Sequence, residues 1–113
     1  QIVALGECGL DRLRGGSMEL QEAVFCQQAT LSETLQKPLI IHCVRAFDIL
    51  LQLKKKLRPT QQWTIHGFRG RPALAQQLLD AGFDLSFGKQ RNEESFALTP
   101  PTRRHEETDD DWL

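Results

Sequence analysis

The apolar positions of this chain alternate between short unbroken runs and runs at helical spacing. "QIVALGE" at residues 1–7 is β-branched and aliphatic and ends in the glycine-bearing stretch "CGLDRLRGG", which predicts a buried strand followed by a loop. Ser17 can cap a helix running to about Gln36, with Glu19 in its positive first turn and Leu20, Val24, Leu31 and Leu35 along one face. Pro38 stops that helix, and "PLIIH" forms the next strand. Residues 46–57 return to helical spacing: Phe47, Leu50, Leu51 and Leu57 share a face, and Lys54, Lys55 and Lys56 sit at the negative end. "QWTIH" predicts a third strand. Pro72 then opens a helix carrying Leu74, Leu78 and Leu79, with Gly82 as its left-handed cap.

Beyond that point the rhythm weakens. "FDLSFG" alternates Phe83, Leu85 and Phe87 with Asp84 and Ser86, predicting a strand with two unlike faces, and a short helix can start near Asn92. After Pro100 and Pro101 charge replaces the apolar pattern, so residues 102–113 read as a charged tail on a single domain spanning 1–113. Repeated βα units imply a parallel sheet, open or closed into a barrel. No GxGxxG or GxxxxGK[ST] follows any strand, which removes the glycine-loop nucleotide cradles and favours a barrel part.

Composition changes this picture little. The 113 residues suffice for one core, and a net charge of -1 gives no global attraction to nucleic acid or anionic membrane. Cys8, Cys26 and Cys43 form no CxxC pair, which fits a reducing cytoplasm, and no apolar stretch approaches the ~18 residues that span a bilayer. The chain opens at Gln1 inside an apolar run, as a fragment would.

Two apolar runs stop on a histidine, His42 and His66, and the first stops on Glu7. Parallel α/β folds gather their chemistry at the carboxyl ends of strands. Imidazole and carboxylate converging there suit a divalent metal, although a single histidine at a strand end is more often a hydrogen-bonded structural group. Arg45 and Arg69 each lie three residues past a histidine, as surface charges or as phosphate contacts. Cys8 and Cys43 follow Glu7 and His42, so strand alternation turns them away, as packing thiols.

"GECGLD" at 6–11, "PLIIHCVRA" at 38–46, "HGFRG" at 66–70 and "ETDDD" at 107–111 together resemble the TatD-type metal-dependent hydrolases, the TatD-related deoxyribonucleases. The resemblance covers nearly the whole chain. It implies a (β/α) barrel with one or two divalent ions, zinc, magnesium or manganese, and nucleic-acid phosphodiesters such as DNA as substrate. It also implies that Glu7, His42, His66 and Asp109 are metal ligands, Asp109 additionally meeting the attacking water. The chain then corresponds to strands four to eight, a partial TIM-like barrel. Two departures stand out: the family's HxH pair is absent, and Arg103, Arg104, His105 and Glu106 replace an apolar run before the last motif. Two rivals follow from these: an amidohydrolase-like esterase or deacylase, and an inactive remnant serving as an interaction module.

Overall fold

A computed structural model describes residues 4–107, and the chain divides into two compact units, Gln1–Trp63 and Thr64–Leu113. In the first unit, β1 (Leu5–Asp11) and β2 (Leu39–Val44) run parallel, with Cys8 opposite Ile41 and Asp11 opposite Val44. Both strands therefore continue past Glu7 and His42, where the apolar runs end, because ladder pairing does not require apolar side chains on both faces. Gly9 lies opposite His42, and a Cβ there would stand 2.5 Å from the His42 carbonyl oxygen, so glycine is the residue that fits. Between Leu5 and Cys8 the register slips: β1 spends three steps where β2 spends two, a bulge at Gly6–Glu7.

Helix α1 (Met18–Leu35) starts where the sequence places it, with Ser17 Oγ accepting from the Leu20 N–H at 3.2 Å. Its buried face differs from the expected one. Leu20, Val24, Leu31 and Leu35 are 42–60% exposed, whereas Phe25, Ala29 and Ser32 are buried. Small Ala29 and Ser32 let the helix approach closely, and Phe25 fills the space beside them, its ring meeting Trp63 edge-on at 5.3 Å. Glu33 fastens the far end of α1. Its carboxylate accepts from the Thr60 hydroxyl at 2.6 Å and from the Thr60 and Gln61 N–H groups at 3.0 Å, bonds that hold its pKa below the usual carboxylate range. Helix α2 (Phe47–Leu57) buries Leu50 and Leu53, and the chain then reaches β3 (Trp63–Ile65).

In the second unit Thr64 and Ile65 pair in parallel with Asp84 and Leu85 of β4 (Asp84–Phe87). Helix α3 (Pro72–Asp80) leads into β4 through Gly82, whose φ of 97° is the left-handed turn expected of it. β4 is buried on both faces. Phe87 meets Phe68 and Phe96 edge-on, while Asp84 and Ser86 face polar partners rather than solvent. Asp84 pairs with Arg103 Nε at 3.3 Å and with His105 Nε2 at 3.1 Å.

Those partners correct the charged-tail expectation. After α4 (Glu93–Leu98) and a short 3-10 turn (Pro101–Arg103), Arg104–Glu106 forms β5, parallel to β4. Arg103 also donates to the Leu79 and Phe83 carbonyls, and Arg104 lies 4.2 Å over the Phe96 ring. Specific charge pairing and cation–π contact replace the missing apolar pattern. Residues 108–113 of the expected tail lie outside the described residues.

Candidate metal-binding histidines

His66 follows β3 directly and begins the more completely built of two polar clusters. Gly67 turns left-handed at φ 63°, and its N–H donates to Glu107 Oε2 at 2.7 Å. The Ser86 hydroxyl donates to the same oxygen at 2.7 Å. His66 Nδ1 stands 3.0 Å from it, at ion-pair distance, although the ring N–H is not aligned for a hydrogen bond. Both side chains are largely shielded, His66 at 22% and Glu107 at 11% exposure. A carboxylate behind Nδ1 is the common backing of a metal-ligating imidazole, because it fixes the tautomer with Nε2 as the lone pair.

The second cluster surrounds His42 in the later half of β2. Its ring is half exposed, and Nε2 lies 3.9 Å from Asp11 Oδ2. Asp11 is held by its own loop: Oδ1 accepts from the Leu13 and Arg14 N–H groups, and its N–H donates to Gln21 Oε1 at 2.7 Å. Three residues on, the exposed Arg45 takes φ 53°, a left-handed conformation that costs a residue bearing a Cβ about 1–2 kcal/mol. Arg12 steadies that turn, donating to the Arg45 carbonyl at 2.7 Å. Cys8 and Cys43 behave as packing thiols, both pushed up to about 12 chiefly by burial, which leaves almost no thiolate at neutral pH.

Each unit thus joins one expected histidine to one carboxylate that the sequence reading passed over, Asp11 beside His42 and Glu107 beside His66. Both carboxylates stand inside the motifs that carry the resemblance, closing "GECGLD" and opening "ETDDD". Motif membership was the available signal. Asp109 lies outside the described residues, as does the side chain of Glu7. Among the described residues no three histidine, cysteine, aspartate or glutamate side chains gather closely enough to hold an ion. The donor chemistry nevertheless suits a divalent metal, since each unit sets an imidazole beside a carboxylate. Arg69 is exposed and donates to Gln90 Oε1 at 2.8 Å.

Parallel βα units with histidines late in, or just after, their strands define a segment of a (β/α) barrel. The chain belongs to the family described as TatD related DNase, whose model matches residues 1–112. It is 40% identical over 84 residues to the 3'-5' ssDNA/RNA exonuclease TatD of Klebsiella pneumoniae (strain 342), a match covering 73% of this chain and 32% of that protein. An uncharacterized metal-dependent hydrolase of Buchnera aphidicola subsp. Baizongia pistaciae is 34% identical over 89 residues, 77% of this chain and 34% of its own. Among solved structures, a TatD family hydrolase from Entamoeba histolytica matches with a TM-score of 0.80 at 28% identity, covering 95% of this chain and 38% of that one. The chain therefore spans about a third to a half of the length of the curated relatives it matches.

Proposed function

We propose that the chain forms part of a metal-dependent hydrolase that cleaves nucleic-acid phosphodiesters. Glu7, His42, His66 and Asp109 act as metal ligands, and Arg45 and Arg69 hold substrate phosphates. The observation that carries this reading is the carboxylate of Glu107 set 3.0 Å behind His66 Nδ1, an arrangement suited to presenting Nε2 to an ion. Support also comes from relatives named as a single-stranded DNA/RNA exonuclease and as a metal-dependent hydrolase.

A bound divalent ion supplies a lowered pKa for water and neutralises charge on a phosphoryl oxygen. The residues do the rest. His42 and His66 offer neutral nitrogens that suit zinc or manganese, and Glu7 and Asp109 offer oxygens that also suit magnesium. Asp109 orients the attacking water. Arg45 and Arg69 present planar guanidinium forks to the non-reacting phosphate oxygens. The three cysteines are free thiols, which fits a cytoplasmic setting, and among the described residues no helix is long and apolar enough to cross a membrane.

A chimera in which this chain replaces the matched region of the Klebsiella pneumoniae exonuclease tests the substrate assignment. Arg69→Ala should lower turnover of single-stranded DNA by roughly ten- to a hundredfold, the loss of one charge-assisted phosphate bond of about 1.5–3 kcal/mol. An uncharged ester should lose little. Equal losses on both substrates would contradict phosphate binding and favour an esterase or deacylase.

A further inference from the structure

Glu107 lies outside the ligand set proposed above, yet its Oε2 accepts two hydrogen bonds and stands beside His66. The Gly67 N–H and the Ser86 hydroxyl each reach it at 2.7 Å, from the turn after β3 and from the middle of β4. Its own backbone N–H donates to the Phe87 carbonyl at 2.8 Å, which anchors the residue just past β5. A carboxylate gripped by two donors cannot swing away, so its position relative to the neighbouring ring is set by the fold. The third group at that oxygen is His66 Nδ1, at 3.0 Å. An anionic oxygen at this distance favours a proton on Nδ1 and leaves the lone pair on Nε2.

We infer that Glu107 is a positioning residue: held by Gly67 and Ser86, it fixes His66 in the Nδ1–H tautomer so that Nε2 alone can bind a metal ion. This role rests on the proposal that His66 is a ligand, but the tautomer itself does not depend on any metal. Without metal the bias comes from the carboxylate charge 3.0 Å from Nδ1 rather than from an aligned hydrogen bond.

The two claims separate in one set of measurements on the full 113-residue chain. Long-range ¹⁵N–¹H spectra at pH ~8.5, above the ordinary imidazole pKa, report the tautomer of each histidine without metal, with His42→Ala and His105→Ala variants assigning the signals. Wild-type His66 should be Nδ1–H, and Glu107→Ala should shift it toward Nε2–H or a mixture. Glu107→Gln, which keeps an acceptor oxygen, should restore Nδ1–H. Titration with zinc should then show a ten- to hundredfold weaker affinity in Glu107→Ala, partly recovered in Glu107→Gln. His66 found as Nε2–H in the wild type overturns the inference, a result that needs no variant to fold. A tautomer unchanged by Glu107→Ala in a folded protein overturns it too. Correct tautomers with no zinc binding by the wild type would sink the ligand role of His66 while leaving Glu107 as the group that orients its ring.

Discussion

Trp63→Ala is expected to destabilise the protein by about 3–5 kcal/mol, a large share of the stability of a domain this size. Trp63 is fully buried and meets the equally buried Phe25 edge-on at 5.3 Å, so truncation removes both a large transferred surface and an aromatic contact. Leu20→Ala, on the exposed stripe of α1, should change stability by no more than about 0.5 kcal/mol. Urea unfolding followed by far-ultraviolet circular dichroism decides between the two faces. Similar losses from both substitutions would mean that the Leu20 face is buried as well, contrary to its exposure in the structure.

His66→Ala, made in the chimera described above, is expected to cut hydrolysis of single-stranded DNA by about a thousandfold or more. Loss of a ligand removes several kcal/mol of charge stabilisation at the reacting phosphate, and each 1.36 kcal/mol is tenfold in rate. His105→Ala is the matched control. Its ring lies on Asp84 rather than Glu107, so it should alter stability more than turnover per folded molecule. A His66→Ala chimera that retained more than a tenth of its activity would remove His66 from the ligand set.

The parallel α/β class was legible because each strand–helix boundary is marked locally. Ser17 caps α1, Pro72 opens α3 and Gly82 takes the positive φ that ends it, all readable without knowledge of the rest of the chain. What sequence reading misjudged depends on contacts between distant residues. The stripe Leu20, Val24, Leu31 and Leu35 has helical spacing, but spacing does not distinguish it from the face of Phe25, Ala29 and Ser32, which close approach to the strands selects. β5 carries no apolar signal at all. Its charges find partners, Arg103 and His105 on Asp84 and Arg104 on Phe96, that become visible only once the chain has folded.

The candidate site divides in the same way. His42 and His66 could be named from where apolar runs stop, yet β2 continues two residues past His42, and only His66 lies just beyond its strand. Asp11 and Glu107 went unnamed because a carboxylate near a histidine is a relation in space. Their separation from those rings in sequence, 31 residues for Asp11 and His42 and 41 for Glu107 and His66, hides it. Glu7 and Asp109 remain proposals founded on the family to which residues 1–112 belong.

The central proposal, that Glu7, His42, His66 and Asp109 are metal ligands, is tested most directly by anomalous diffraction from crystals of the chain grown with zinc or manganese. The account predicts anomalous density about 2.0–2.2 Å from a ring nitrogen of His66 or of His42. A peak bound elsewhere, for instance at His105 and Asp84, or full occupancy persisting in a His42→Ala/His66→Ala double variant, would contradict it.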